Sequence, residues 1–130
     1  MSHFFRILDG VRIYFYIFRE PVIYFKKQLL TRISEVGQLS PDTVHGYQAL
    51  FNAGGKTGHL DAKTRELIAL AVAVTRQCAG CITVHTDAAA KHSATHEEVA
   101  EALGVAIAVN AGAALVYSAR VMDAFSVKKS

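Results

Sequence analysis

The chain is poor in cysteine and in charge. Of its 130 residues only two are cysteines, 19% are charged and 52% are hydrophobic. So high an apolar share excludes an intrinsically disordered chain and supplies enough residues for a packed core. The cysteines lie close together in the sequence. A disulfide that closes so short a loop constrains the unfolded chain too little to stabilise a secreted fold. The length predicts a single domain.

Strand-like alternation of apolar and polar residues is also missing, and no stretch of the chain repeats. Beyond residue 20 the apolar residues recur with helical spacing, so we predict an all-α fold, a compact helical domain of about six helices. The third of these helices, near residues 62–76, has a centre that is apolar on all sides. Such a helix is expected to be buried all round.

Capping residues set the expected helix boundaries. Expected starts are Ser40-Pro41, Asp61, the stretch near Cys78–Gly80, and Thr95, with which Glu98 forms a capping box. Expected ends are Gly37, Gly54-Gly55 and Asn110-Ala111-Gly112. The last of these would divide the C-terminal part of the chain into two helices.

The positive charge is concentrated near the N-terminus. Residues 1–36 hold six Lys and Arg against three acidic residues, and the rest of the chain holds eight of each sign. No basic cluster recurs on the body, so we expect no nucleic-acid partner. The apolar run 13–18 is shorter than the roughly 20 residues of a spanning helix, so no transmembrane segment is expected there.

Residues 1–28 therefore form a predicted aromatic and basic arm, and residues 29–130 form the predicted helical domain. The arm could pack on the body, contact another subunit or touch a membrane surface, or it could reflect a start codon placed too far upstream. The sequence leaves these four interpretations open.

Four residues in the middle of the chain have the types and spacing of a redox site. The two cysteines stand as Cys78-Ala79-Gly80-Cys81, His85 follows four residues later, and Glu66 lies twelve residues before Cys78. At a helix N-terminus the unpaired amides and the helix dipole stabilise a thiolate. His85 is one turn from Cys81 and lies on the same helix face. The spacing predicts a redox-active dithiol with its own acid–base partner.

The expected reaction is the reduction of a peroxide. The Cys81 thiolate attacks the peroxide and becomes a sulfenic acid, with His85 on the same face of the helix as Cys81. Cys78 condenses with it and releases water, and an external dithiol reduces the resulting disulfide. Helix-start electrostatics alone would favour the more N-terminal cysteine, so the opposite order stays open.

The same residues are also compatible with other uses. Cys78, Cys81 and His85 could bind zinc if His45, His59 or His92 supplied a fourth ligand, although there is no second cysteine pair. Covalent haem needs a histidine directly after the second cysteine, where this chain has Ile82. The cysteines could also be inert. We expect neither a metal nor an organic cofactor.

With these residues in hand, the chain resembles the alkylhydroperoxidase D-like group of the carboxymuconolactone decarboxylase family. The resemblance covers about residues 60–125 and rests on Asp61 to Leu70, on the dithiol motif with His85, and on Glu97 to Gly104. It implies a helical fold that assembles into trimers or hexamers through helical faces. It also implies a peroxidase or disulfide-reductase activity, with Glu66, Cys78, Cys81 and His85 as thiol and proton-relay residues. One position departs: the best-characterised peroxidase members have a histidine directly before the second cysteine, where this chain has Gly80.

The sequence therefore predicts a cytoplasmic thiol peroxidase or disulfide reductase that acts on organic hydroperoxides in antioxidant defence. The expected reductant is an external dithiol protein or a lipoyl group. A lactone decarboxylase is an alternative, but that chemistry has no use for a cysteine pair. A non-catalytic redox sensor, in which disulfide closure changes subunit packing, is the other.

Overall fold

A computed structural model describes residues 24–129, and the secondary structure in that range is helical throughout, which confirms the all-α prediction. Helix α1 covers residues 24–39, α2 Pro41–Lys56, α3 Ala62–Thr75, α4 Ala79–Lys91 and α5 His96–Lys129. Most of the predicted N-terminal arm lies outside the described residues, and its boundary at residue 28 stays a prediction. The chain divides into two compact units, one up to Gly58 and one from His59.

In the first unit the two predicted glycine stops are wrong. Helix α1 continues through Gly37, and α2 begins at Pro41 as predicted but continues through Gly54-Gly55 to Lys56. A glycine inside a helix costs only about 1 kcal/mol relative to alanine, which neighbouring residues can offset. Gly58, with a φ of +72°, lies where the chain does leave the helix.

The helix starts in the second unit agree with the sequence. Asp61 caps α3 by accepting a hydrogen bond from the Thr64 backbone N–H at 2.8 Å. Thr95 and Glu98 form the expected capping box at α5: the Thr95 hydroxyl accepts from the Glu98 N–H, and the Glu98 carboxylate accepts from the Thr95 N–H. These local contacts need no distant partner, which is why the sequence alone could predict them.

The predicted break at Asn110-Ala111-Gly112 is wrong, because α5 is one helix of 34 residues. The described residues therefore hold five helices where about six were expected. The Asn110 amide donates hydrogen bonds to the Ala106 carbonyl at 2.7 Å and to the Thr75 hydroxyl at 2.9 Å. The side chain that suggested a turn thus stays within the helix and ties α5 to the end of α3.

Helix α3 packs against both α4 and α5. Among the described residues the buried side chains are Leu70, Ala73, Ala89 and Ala106, three of which are alanines. The expectation that α3 is buried all round is wrong for the single chain, since Ile68 is 50% exposed and Val72 55%. A groove of about 540 Å³ between α3 and α5 separates those side chains from α5.

Helix α5 is long and apolar enough to cross a bilayer by length and composition, and among the described residues it is the one helix that is. The same length and composition also occur in the core helices of soluble proteins. The sequence reading missed this property because it divided the segment at Asn110.

Candidate redox site

The turn between α3 and α4 positions the first cysteine. Gln77 has a φ of 51°, in the left-handed region that non-glycine residues seldom adopt. The turn is held by backbone hydrogen bonds from Gln77 N–H to the Val74 carbonyl and from Cys78 N–H to the Ala73 carbonyl. As a result Cys78 becomes the N-cap of α4, and the helix starts within the predicted stretch Cys78–Gly80.

Cys78 and Cys81 are joined by a disulfide across the first turn of α4, with their Cα atoms 5.2 Å apart. The Cys78 sulfur also accepts a hydrogen bond from the Cys81 backbone N–H at 3.2 Å. Both residues are half-buried, so a small reagent can approach them. The geometry lets the dithiol and disulfide interconvert within one helical turn, and the N-terminal amides of α4 stabilise a thiolate at Cys78 once the bond is reduced.

Glu66 and His85 come together from different helices. Glu66 Oε2 on α3 lies 2.7 Å from His85 Nδ1 on α4, and each side chain is only 16% exposed. An ionised carboxylate can only accept, so Nδ1 carries the proton and donates it. A carboxylate in this position fixes the orientation of an imidazole ring.

The structure thus places the four predicted site residues on two adjoining helices. It shows that Glu66 reaches His85, a contact that depends on how α3 crosses α4 and that the sequence could not fix. Cys81 and His85 lie one turn apart on α4, as their spacing predicts. Their roles in a reaction remain predictions.

A second polar link, which sequence reasoning missed, ties the start of α3 to the start of α5. Lys63 Nζ lies 2.6 Å from Glu98 Oε1. The Lys63 ammonium, together with the Thr95 N–H, lowers the pKa of Glu98, and the Glu98 carboxylate in turn raises the pKa of Lys63. The two residues are 35 positions apart, so no local pattern in the sequence predicts their contact.

Metal ligands do not cluster in the part of the chain that the structure describes: no group of three or more His, Cys, Asp or Glu there could hold an ion. In the disulfide state the two sulfurs are bonded to each other. The absence of a metal cofactor stays a prediction.

Comparison with known proteins places these features in a family. The profile of the carboxymuconolactone decarboxylase family matches residues 41–124, from the start of α2 to near the end of α5. The chain belongs to the carboxymuconolactone decarboxylase family. The family match begins well before residue 60, where the resemblance in the sequence begins, and so includes α2.

Two relatives and one solved structure are similar to most of this chain. An uncharacterised protein of Haemophilus influenzae is 47% identical over 96 residues, which are 74% of this chain and 85% of the relative. One of Cupriavidus necator is 34% identical over 104 residues, covering 75% and 92%. The crystal structure of a carboxymuconolactone decarboxylase family protein from Legionella pneumophila, in its apo form, is similar with a TM-score of 0.67. It is 37% identical, and the match covers 82% of this chain and 96% of that one.

Proposed function

We propose that this member of the carboxymuconolactone decarboxylase family is a thiol peroxidase and disulfide reductase that acts on organic hydroperoxides. The observation that carries the proposal is the Cys78–Cys81 disulfide on the same helix as His85, whose ring Glu66 orients at 2.7 Å. A dithiol that closes within one turn beside an acid–base pair has what peroxide reduction needs.

The proposed catalytic cycle has three steps. The thiolate of Cys81 attacks one oxygen of the hydroperoxide; the O–O bond breaks, the sulfur becomes a sulfenic acid, and the alkoxide leaves as an alcohol after taking a proton. The Cys78 thiol then attacks the sulfenic sulfur, forming the S–S bond and releasing water. An external dithiol reduces this disulfide by exchange and is itself oxidised to a disulfide.

His85 and Glu66 supply the protons in this scheme. His85 takes the proton from a thiol and returns it to the leaving oxygen, while Glu66 holds the ring and stabilises its charged form. Because Gly80 stands where some peroxidase relatives have a histidine, no imidazole directly precedes Cys81. The Glu66–His85 pair therefore has to do this work alone among the four site residues.

The order of attack is a part of the proposal that can be tested separately. His85 lies on the same face of α4 as Cys81. The Cys78 sulfur, by contrast, accepts the backbone hydrogen bond, which comes from the Cys81 N–H. In the Cys78→Ser protein we expect dimedone to trap a sulfenic acid at Cys81. Trapping at Cys78 in the Cys81→Ser protein, with none at Cys81 in the other variant, would reverse the order.

The proposed partners are an organic hydroperoxide and an external dithiol or lipoyl reductant in the cytoplasm, with no organic cofactor and no nucleic acid. Trimeric or hexameric assembly, which the family resemblance implies, also remains part of the proposal.

Steady-state turnover tests the activity. The reduced protein is mixed with excess cumene hydroperoxide and dihydrolipoamide, and the loss of hydroperoxide is followed over many equivalents. An enzyme cycles, and either Cys→Ser change abolishes cycling. A redox sensor would consume about one equivalent per chain and stop. Decarboxylation of a lactone that persists in both Cys→Ser variants would instead favour the decarboxylase.

A further inference from the structure

The two cysteines at the start of α4 present two sulfur ligands within one helical turn. Their Cα atoms are 5.2 Å apart. Once the disulfide is reduced, each sulfur can turn about its Cα–Cβ bond into another staggered position. Two metal–sulfur bonds of about 2.3 Å each require sulfurs no more than about 4.6 Å apart. The spacing therefore lets both thiolates hold a single metal ion between them.

The charges around this turn favour a complex with a net negative charge. A monovalent ion bound by two thiolates has a charge of −1, and its binding releases the two thiol protons. The Cys78 sulfur accepts a hydrogen bond from the Cys81 N–H at 3.2 Å, and the positive end of the helix dipole lies at the same place. The first turn of α4 contains no acidic side chain. The backbone that stabilises a thiolate thus also stabilises the anionic complex.

Further ligands for the ion are missing from the part of the chain that the structure describes, where no three His, Cys, Asp or Glu residues gather in a possible metal site. His85 is one turn away, but its Nδ1 is bonded to Glu66 Oε2 at 2.7 Å. His92 caps the opposite end of α4, about 20 Å from the cysteines. The pair therefore offers two ligands only.

Two thiolates suit some metal ions and not others. Zinc takes three or four protein ligands in nearly all of its sites, so a two-ligand site holds it poorly. Cu(I) prefers soft sulfur ligands and is satisfied by two of them, and Ag(I) shares this chemistry. Both cysteines are half-buried, so an ion delivered by a small carrier can reach them from solvent.

We propose that the reduced Cys78–Cys81 pair binds one soft monovalent metal ion, Cu(I) or Ag(I), through its two sulfurs and in preference to zinc. The ion competes with disulfide formation, because a sulfur bonded to it has no free electron pair for attack on a peroxide. It is a ligand of the reduced protein and not a resident cofactor. The inference rests on the spacing, the charge and the ligand count of the pair, and it does not depend on the peroxidase activity.

The test is a competition titration of the reduced full chain in the absence of oxygen. Cu(I) is held by excess bicinchoninate, a coloured chelator, and the loss of colour on adding protein gives the copper transferred. We expect one Cu(I) per chain, and none for the disulfide form. Cys78→Ser and Cys81→Ser should each weaken binding at least about 100-fold, because one of the two ligands is lost. His59→Ala and His92→Ala are the controls, and both should leave the affinity unchanged.

Two further measurements keep a folding defect from imitating the result. Circular dichroism checks the fold of each variant. In the natural protein, one equivalent of Cu(I) should protect both thiols from alkylation by iodoacetamide, as read by intact mass. The same competition with zinc and a coloured zinc chelator should give an affinity at least about 100-fold weaker than that for Cu(I).

Several results would overturn the proposal. They are a reduced chain that takes up no Cu(I), uptake that both serine variants retain, a zinc affinity equal to that for Cu(I), or half an equivalent of copper per chain, which would place the ion between two copies. Because copper transfer is measured and not turnover, a protein that binds Cu(I) but does not cycle with hydroperoxide would contradict the proposed function alone.

Discussion

Replacing Glu66 by glutamine should slow turnover without dismantling the site. The two side chains have nearly the same shape, and the amide oxygen of glutamine can still accept the hydrogen bond from His85 Nδ1. The bond loses its charge, however, and charge-assisted hydrogen bonds are roughly twice as strong as neutral ones. The imidazole then becomes a poorer proton acceptor while keeping its orientation.

The size of this loss follows from the part that Glu66 plays. A positioned general acid or base contributes about 10²–10⁴-fold to a rate, and the partner that orients an imidazole contributes about 10–100-fold. We therefore expect kcat/KM for a hydroperoxide to fall about 10–100-fold, or about 1.4–2.7 kcal/mol in transition-state stabilisation. The retained hydrogen bond should limit the loss of unfolding free energy to about 1.5 kcal/mol.

A double-mutant cycle tests whether Glu66 and His85 act together. Glu66 acts through His85 in this account, so His85→Ala alone should cost at least as much as Glu66→Gln, and the double variant should be no slower than His85→Ala. The matched control is Glu35→Gln, which removes the same charge from an exposed ion pair with Arg32 on α1. Additive losses in the double variant, or equal losses in the control, would refute the coupling of the two residues.

Four further substitutions have expected outcomes. Cys78→Ser and Cys81→Ser should each abolish multiple turnover in the hydroperoxide assay, and undiminished cycling in Cys81→Ser would contradict the mechanism. Thr95→Ala removes the N-cap of α5 and should lower the free energy of unfolding by about 1 kcal/mol in urea titrations; an unchanged midpoint would show that the capping box contributes nothing. Glu98→Gln keeps a capping-box side chain but loses the charge that pairs with Lys63. Because the pKa of Glu98 is lowered in the folded protein, its stabilisation is present above the ordinary glutamate value of about 4.3 and is lost as pH falls through the lowered pKa. The Tm of the natural protein should therefore fall more than the Tm of Glu98→Gln when the pH is lowered from about 6 to about 3. Equal decreases in Tm for the two proteins would argue against this linkage.

The elements that the sequence predicted well are those governed by local chemistry. Asp61 and Thr95 bond to backbone amides within three residues, and Cys78 caps α4 in the same way. Such contacts are set by residue type and spacing alone. The four candidate site residues stand out for a similar reason, since three of them lie within two turns of the chain; their roles stay predictions.

The errors have two sources: distant contacts that outweigh local preference, and glycines that a helix tolerates. Asn110 would favour a turn, but its amide finds acceptors on Ala106 and on Thr75, which belongs to another helix. Gly37 and Gly54 lie inside helices because a glycine raises the cost of a helix without ending it. The Glu66–His85 contact likewise depends on how two helices cross, a geometry that neither residue encodes by itself.

The central claim is that Cys78 and Cys81 form a peroxide-reactive pair within one chain. The most direct measurement is free-thiol titration with intact-mass analysis of the reduced protein, before and after one equivalent of an organic hydroperoxide. Each chain should lose both thiols and the mass of two hydrogens, faster than a free low-molecular-weight thiol reacts. Thiols that stay reduced, or that gain only oxygen atoms without forming a disulfide, would contradict it.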